Sequence, residues 1–193
     1  VAGEPYSIFL EIFFKVFKSK FYKLYKHPII LIASKNLVKM QMAKMNFNFK
    51  INLIEKNSLK NFSINKNKIN LIDVKLNFKK PFGKISIKSS KYIKECFDVG
   101  LELMKKKIGI ALINGPISKK HFLEEKYRGV TEYLADKTNK RNCEAMLIYN
   151  KSLSVSPVTT HLPLKNVSKN LSKTKIVKNA TIINNFYISK LRK

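Results

Sequence analysis

The run Pro28-Ile29-Ile30-Leu31-Ile32-Ala33, followed at once by Ser34, is the most informative stretch of this 193-residue chain for its fold. A short, continuous apolar run of this kind is typical of a strand that is buried on both faces of a sheet. Ser34 is a favoured residue for the start of a helix, and Leu37, Met40 and Met45 then lie broadly along one helix face. The stretch therefore predicts a buried strand that leads directly into a helix, as in α/β folds.

Helix-like and strand-like patterns continue to alternate on both sides of this run, which indicates an α/β domain. Further helices are predicted over Ile8–Lys20, Ser89–Lys106 and Thr131–Lys137, and from Lys173 onward after a Ser172 cap. Further strands are predicted over Phe49–Ile54, Ile69–Asn77, Ile108–Ile113, Ala145–Tyr149 and Leu153–Thr159. The pattern of Ile69–Asn77 is that of a half-exposed strand, that of Ile108–Ile113 indicates a central buried strand, and residues 55–68 are predicted to form a loop.

The composition gives a formal net charge of +27, and a polyanion such as nucleic acid is the first partner to consider. Only three of the 39 basic residues are arginines, and Asn, Ile, Phe and Tyr are abundant as well. These are residues of A/T-rich codons, whereas a nucleic-acid reader is expected to use arginine for bidentate contacts. The charge therefore favours a biased genome over a nucleic-acid partner, and a basic nucleic-acid-binding module stays as the alternative.

The two cysteines, Cys96 and Cys143, are far apart and suit neither a disulfide framework nor a zinc knuckle. This favours a reduced, cytoplasmic setting. The best apolar stretch, residues 8–17, is too short for a membrane span and carries Glu11 and Lys15, so no membrane partner is predicted.

Two loops stand out chemically, while no glycine-rich phosphate loop or nucleophile elbow is present in the sequence. The first loop is Asn114-Gly115-Pro116-Ile117-Ser118-Lys119-Lys120, after the predicted central strand. The second is Thr159-Thr160-His161-Leu162-Pro163-Leu164, in which a histidine follows a predicted strand and precedes a proline-restricted turn. His161 is therefore a candidate metal ligand or proton carrier, and a hydrogen-bonded structural histidine is the alternative.

Three segments occur in a characteristic order and at characteristic separations: Gly115-Pro116-Ile117-Ser118-Lys119, Gly129-Val130-Thr131-Glu132-Tyr133-Leu134 and Thr159-Thr160-His161-Leu162-Pro163-Leu164. Together they resemble the 4-hydroxythreonine-4-phosphate dehydrogenase family of pyridoxal 5'-phosphate biosynthesis. Gly3-Glu4-Pro5 is similar to the opening loop of that family. The resemblance spans the chain but is unspecific over residues 46–88.

The resemblance implies a three-layer α/β/α fold with a mostly parallel or mixed sheet, similar to isocitrate and isopropylmalate dehydrogenases. It implies oxidation of 4-phosphooxy-L-threonine with NAD or NADP, followed by decarboxylation to 3-amino-2-oxopropyl phosphate. It also implies a divalent metal ion (Zn, Mg or Co), a homodimer, and a phosphorylated amino acid as the small-molecule partner. A bound divalent cation would lower the pKa of the substrate hydroxyl and stabilise the alkoxide that forms.

Carried over by position, His161 is the first metal-ligating histidine and Thr131 contacts the substrate. The alternative for Thr131 is an N-cap of its helix, with Glu132 in the first turn. Lys119 is either a residue that positions an anion or one of many solvated lysines. His27 and His121 match no ligand position and are expected at the surface.

The chain departs from the family pattern in two ways. Val130 stands where the family has histidine before the threonine, which places substrate binding there in doubt. The family's other metal histidines, catalytic acids and phosphate-binding residues belong to a carboxyl-terminal half that follows the helix ending near Lys193. We therefore expect residues 1–193 to be the amino-terminal portion of the dehydrogenase, inactive alone and including its first metal-ligand loop, and a non-catalytic paralogue is a further alternative.

Overall fold

The computed structural model of the chain describes residues 1–56, 63–123, 126–127 and 129–191. The helices, in order, are α1 (Phe9–Lys18), α2 (Lys20–Leu24), α3 (Lys35–Lys44), α4 (Ser90–Lys105), α5 (Val130–Lys137), α6 (Val167–Asn170) and α7 (Lys173–Phe186). The strands are β1 (Ile30–Ala33), β2 (Ile51–Ile54) and β3 (Ile69–Asp73). Short 3₁₀ segments occupy Ile87–Ser89 and Leu164–Asn166, and π-helical segments occupy Lys119–Leu123 and Tyr187–Leu191. The chain divides into two units, Val1–Phe122 and Leu123–Lys193.

The sheet of the first unit is parallel, with strand order β1-β3-β2. The backbone of Val1 and Ala2 continues it beyond β1, because the Ala2 amide donates to the Ile32 carbonyl at 3.1 Å. On the other side of Val1, its amino group donates to the Ile113 carbonyl and its carbonyl accepts from the Gly115 amide, both at 2.8 Å. The amino-terminal turn and the residue 115 loop therefore start side by side.

Helices cover both faces of β1. Side chains alternate across a strand, so neighbouring residues of β1 contact different helices. On one face, Leu31 and Ala33 belong to a core cluster that also contains Phe14 of α1 and Val38 of α3. On the other face, Ile32 approaches α4, where a Cβ built on Gly100 would lie 3.5 Å from its Cδ1. The buried α/β character predicted from the Pro28–Ala33 run is confirmed.

Several predicted elements agree with the structure in kind and place. The Ser34 hydroxyl accepts from the Leu37 amide and caps α3, and the Ser172 hydroxyl caps α7 by accepting from the Lys175 amide. Helix α4 follows the predicted helix within a residue at each end. Met40, predicted on the apolar face of α3, is 42% exposed instead.

Two predicted elements differ because of local backbone geometry. The helix predicted over Ile8–Lys20 is divided at Ser19, which is extended and caps α2 by accepting a hydrogen bond from the Tyr22 amide. Strand β3 is shorter than predicted and buried rather than half-exposed, since both of its edges are paired and helices pack nearby. The predicted loop over residues 55–68 lies partly outside the described residues, which omit 57–62.

The prediction of a central buried strand at Ile108–Ile113 is wrong. This segment is not assigned as a strand, and Ile110 and Ile113 are 74% and 69% exposed. The Ile113 carbonyl accepts from the Val1 amino group, but no described strand pairs with the segment, so part of its apolar surface is left uncovered. The two strands predicted at 145–149 and 153–159 reduce to one antiparallel bridge between Ile148 and Val155.

Candidate functional site

The Gly3-Glu4-Pro5 turn packs directly on the Gly115-Pro116 turn in the first unit. The Glu4 amide donates to the Pro116 carbonyl at 2.8 Å, and Gly3 has a φ of +67°. A Cβ built on Gly3 would lie 2.5 Å from the Pro116 oxygen, so only glycine fits this close approach. Gln41 holds the turn from below by donating to the carbonyls of Pro5 and Pro81. The Gly3-Glu4-Pro5 loop and the Gly115-Pro116 loop, both part of the resemblance, therefore form one packed pair of turns.

The Glu4 side chain is buried in this unit, only 2% exposed. Neither carboxyl oxygen has a hydrogen bond of normal geometry among the described residues. Loss of hydration raises the pKa of the carboxyl group, and the nearby Ser118 amide opposes part of that rise. Glu4 was noticed in the sequence as part of a motif, but its burial follows only from the packing of the two turns.

Lys119 and His121 lie in the π-helical segment that follows the first loop. The Lys119 side chain is exposed, and nothing in the described contacts distinguishes it from other lysines. The His121 amide donates to the Ser118 hydroxyl, and its carbonyl accepts from Ser90. His121 is half-buried rather than at the surface as expected, whereas His27 is exposed, as expected.

Thr131 lies in the first turn of α5 in the second unit. The helix begins at Val130, and Gly129 occupies the N-cap position, so the alternative that Thr131 caps the helix is wrong. Thr131 and Glu132 are both half-buried. The Thr131 side chain therefore does not cap α5, although it lies at the positive end of the helix. Its predicted substrate contact stays a prediction.

His161 is exposed and lies beside the start of α5 within the second unit. A Cβ built on Gly129 would lie 3.6 Å from His161 Nε2 and 3.0 Å from a Glu132 carboxylate oxygen. The absence of a side chain at Gly129 thus allows the imidazole and the carboxylate to approach the same backbone position. The backbone of His161 has a φ of +56°, an uncommon value for a residue other than glycine. The predicted strand before it is not present, so a bend and not a strand end positions the imidazole.

His161 could supply one ligand to a metal ion. An exposed imidazole can supply one nitrogen ligand, but a catalytic metal usually has about three protein ligands. No group of three or more histidine, cysteine, aspartate and glutamate side chains is arranged to hold a metal ion within the described ranges. His161 therefore fits a ligand role only in combination with residues other than those described.

Sequence reasoning missed a polar cluster around Asp136 in α5. The Asp136 carboxylate accepts hydrogen bonds from the Tyr127 hydroxyl and from the Arg141 guanidinium. The hydrogen bond from Tyr127 and then the interactions with Arg141 lower the pKa of Asp136, and the same bond raises the pKa of Tyr127. In the sequence, only the five-residue separation of Asp136 and Arg141 across a helix end could have indicated this contact.

Comparison with known proteins identifies the family. The family model described as "Pyridoxal phosphate biosynthetic protein PdxA" matches residues 25–192, which is most of the chain. This chain belongs to the PdxA family. The PdxA model includes α5 and the His161 loop, which agrees with the resemblance found in the sequence.

Curated relatives of this PdxA-family chain carry the name 4-hydroxythreonine-4-phosphate dehydrogenase. The protein of Sulfurihydrogenibium sp. is 36% identical over 60% of this chain and 35% of its own length. Those of Janthinobacterium sp. and Wigglesworthia glossinidia brevipalpis are 29% and 25% identical, over 72% and 95% of this chain and 43% and 54% of their own lengths. The chain thus spans about half the length of the curated relatives it matches, or less.

The fold is shared with solved structures of the family. The structure of a 4-hydroxythreonine-4-phosphate dehydrogenase described as putative, from Salmonella typhimurium, matches with a TM-score of 0.79 and 26% identity. The match covers 95% of this chain and 57% of that one. The Burkholderia phymatum enzyme matches with a TM-score of 0.78 at 21% identity, which bears on the fold alone.

Proposed function

We propose that this PdxA-family chain provides part of a 4-hydroxythreonine-4-phosphate dehydrogenase. In the proposed reaction, the secondary hydroxyl of 4-phosphooxy-L-threonine loses its proton. The carbon that bears this hydroxyl passes hydride to NAD or NADP. The resulting 3-oxo acid then loses carbon dioxide and takes up a proton to give 3-amino-2-oxopropyl phosphate. The names of the relatives support this proposal, and so does the resemblance of the loops at Gly115, Thr131 and His161.

One observation carries the proposal: the exposed His161 imidazole lies beside the first turn of α5, which bears Thr131. Two loops that are about 30 residues apart in sequence therefore meet within one compact unit. A ligand held at His161 would lie near the amino-terminal end of α5, where the first amides have no partner within the helix.

In this proposal each residue has a limited task. His161 offers a neutral imidazole nitrogen to a divalent cation (Zn, Mg or Co), and residues beyond those described complete the set. The cation, when bound, supplies positive charge that lowers the pKa of the substrate hydroxyl. Thr131 orients the substrate through its hydroxyl. Val130, where the family has histidine, cannot donate a hydrogen bond from its side chain, so binding there depends on the Thr131 hydroxyl and backbone amides.

The proposal has wider consequences for the molecule. We infer a three-layer α/β/α arrangement like that of isocitrate and isopropylmalate dehydrogenases, supported by helices on both faces of β1. We also infer that the whole enzyme is a cytoplasmic homodimer. Residues 1–193 provide its amino-terminal portion, and a carboxyl-terminal half provides the remaining catalytic and metal-binding groups. No described helix is long and apolar enough to cross a membrane.

A chimera tests the proposed function. Residues 25–191 would replace the matching part of the Salmonella typhimurium protein, and the chimera would be expressed in a bacterium that lacks its own 4-hydroxythreonine-4-phosphate dehydrogenase. We expect growth without added pyridoxine. The His161→Ala chimera should fail to support growth, because one metal ligand is lost. The matched His121→Ala chimera should grow, because His121 matches no ligand position.

Growth of the His161→Ala chimera at the rate of the parent would contradict the role of His161. A separate assay would follow NADH formation from 4-phosphooxy-L-threonine by residues 1–193 alone, for which we expect no activity. Activity of that chain with NAD and a divalent cation would contradict the proposal that the carboxyl-terminal half is needed.

A further inference from the structure

A cavity of about 470 Å³ lies in the first unit, at the edge of the sheet opposite the residue 3–5 and residue 115 turns. Its wall includes residues that immediately precede each strand: His27 and Pro28 before β1, Phe49 before β2, and Asn67 before β3. Because the three strands are parallel, these residues meet at the amino-end edge of the sheet. The cavity therefore does not include the residue 3–5 and residue 115 turns, and its volume is typical of a small-molecule site.

Aromatic rings form much of the cavity wall. Phe17 packs against Tyr22 and Phe49 with centroid distances of 4.8 and 5.0 Å, and Tyr25 packs edge-on to His27 at 5.8 Å. These rings already support one another, so they offer a pre-organised apolar surface. Such a wall favours a planar aromatic ligand, because offset and edge-to-face ring contacts add to the gain from burial.

Tyr22 contributes its ring to this wall, while its hydroxyl is buried behind the ring. Tyr22 is 7% exposed, and its hydroxyl oxygen has no hydrogen bond of normal geometry in the described part of the chain. Burial raises the pKa of the phenol, and the nearby Ile29 amide counters part of that rise. Because the hydroxyl oxygen is not accessible from the cavity, Tyr22 can contact a ligand there only through its ring.

Three lysines complete the wall: Lys18, Lys23 and Lys66. All three are exposed, and none is in an ion pair among the described residues. Among the described residues that line the cavity there is no aspartate or glutamate. The cavity thus combines an apolar interior with a uniformly basic rim, which favours an anionic group at the mouth of the cavity.

A buried polar network holds the Lys66 side of the cavity in place. Asn70 in β3 is fully buried, and its side chain accepts from Asn52 and from the Asn65 amide, each at 2.9 Å. It also donates to the Asn65 carbonyl at 3.0 Å. The turn that carries Lys66 is therefore fixed to the sheet and is not a freely moving surface loop.

We propose that this cavity binds a small anion in which a planar aromatic ring carries a phosphate group. The ring would lie against Phe17, Tyr22 and Phe49, and the phosphate would lie among the three lysines. Nucleoside monophosphates have this chemistry, and so do phosphorylated pyridines of the kind that the family name mentions. The lining residues of this cavity have no task in the proposed dehydrogenase reaction.

Calorimetric titration of the 193-residue chain tests the site and distinguishes the two sources. The probes are AMP and pyridoxine 5'-phosphate, each compared with its unphosphorylated form and with inorganic phosphate at equal ionic strength. We expect at least one phosphorylated ring to bind about tenfold tighter than either of its halves. Equal affinity for inorganic phosphate, or no measurable binding of either phosphorylated ring, would overturn the proposal.

Two sets of variants locate the binding. The triple change Lys18→Ala, Lys23→Ala, Lys66→Ala should weaken binding at least tenfold. The matched triple change Lys91→Ala, Lys94→Ala, Lys105→Ala on exposed positions of α4 removes the same charge and should leave the affinity within about twofold. If both triples weaken binding equally, the lysines act only through the net charge and the site is refuted.

Tyr22→Phe keeps the ring and removes only the hydroxyl. We expect the affinity to stay within about twofold, because the hydroxyl is not accessible from the cavity and the ring is kept. The melting temperature without ligand should be unchanged or higher, because a buried polar group without a partner is removed. A loss of affinity of about tenfold or more in this variant, whose fold is checked by circular dichroism, would contradict binding through the ring alone.

Discussion

Gly3 and Glu4 are adjacent in the amino-terminal turn, but the packing of this turn has a different effect on each of them. Gly3 must have no side chain, because the Pro116 and Gly115 carbonyls occupy the space where a Cβ would lie. Glu4 has a long charged side chain, yet the same packing buries it away from water. The turn is thus held by backbone contacts at one residue and carries an electrostatic cost at the next.

Gly3→Ala should destabilise the chain by about 2–4 kcal/mol, because alanine is strained at a φ of +67° and its Cβ would meet backbone oxygens. The free energy of unfolding would be measured by urea titration. Gly109→Ala is the control, since its Cβ would meet the flexible end of Met104 and the position is half-buried in an unpaired segment. Similar losses for both variants would contradict the close-approach argument.

The pH dependence of stability should report the burial of Glu4. Because the folded state raises the pKa of this carboxyl above its ordinary value of 4.5, the folded state binds the proton more tightly than the unfolded state. The contribution of Glu4 to stability is thus fully present below the ordinary pKa. It is lost as the pH rises through the raised value.

Glu4→Gln should accordingly stabilise the chain near pH 7 relative to the parent, and this advantage should shrink as the pH falls through the raised pKa and level off below 4.5. Thermal unfolding of both proteins between pH 3.5 and pH 8 measures the difference in stability between them. The titration of all other groups contributes equally to both proteins and cancels in this difference. A Glu4→Gln variant that is less stable at pH 7 would show that the ionised carboxylate has a stabilising partner.

Helix α1 stabilises the sheet through a compact row of phenylalanines. Phe13, Phe14 and Phe17 are spaced to lie on one face, and the Phe14 ring centroid is 5.5 Å from that of Phe47. Phe21 in α2 has the same chemistry but is 73% exposed. The position of each residue on its helix, and not its type, sets its energetic contribution.

Phe14→Ala should cost about 3–5 kcal/mol, because it removes a fully buried ring and leaves a cavity in the core cluster. Phe21→Ala should change the stability by less than about 1 kcal/mol, since its ring is mostly in water already. The comparison requires the free energy of unfolding of both variants under one set of conditions. A large loss in Phe21→Ala would show that α2 packs more closely in solution than in this structure.

Burial differs sharply between the two units of the whole chain. Most of the buried apolar residues belong to the first unit, whereas α7 in the second unit has none. Ile176 and Val177 of α7 are about half exposed, at 49% and 54%. Local stability should therefore be uneven along the molecule, because buried apolar contacts set the cost of local opening.

Hydrogen exchange should show this difference directly. Amides of β3 and α4 are expected to exchange on the order of a hundredfold or more slowly than those of α7. Helix α4 serves as the internal control, because it is helical like α7 but has a buried face. Protection of α7 equal to that of α4 would mean that a contact absent from this structure covers α7.

Local sequence patterns were sufficient for several elements. The strand at residues 28–33, the Ser34 and Ser172 caps and the apolar face of α4 depend on residues close together in the chain, and all were predicted. Family membership also followed from short motifs in their order. The Ser19 break in the first helix was missed, because a serine can lie inside a helix or cap the next one with similar ease.

The amino-acid sequence by itself thus determined the α/β class, the main buried strand and the family, since these depend on composition and short-range spacing. Only the tertiary structure decided that Ile108–Ile113 is exposed, that the Glu4 carboxyl is buried, and that His161 lies beside Gly129. It also brought together the aromatic and basic wall at the amino-end edge of the sheet. Burial and proximity of this kind depend on which distant segments pack against a residue, and no short stretch of sequence contains that information.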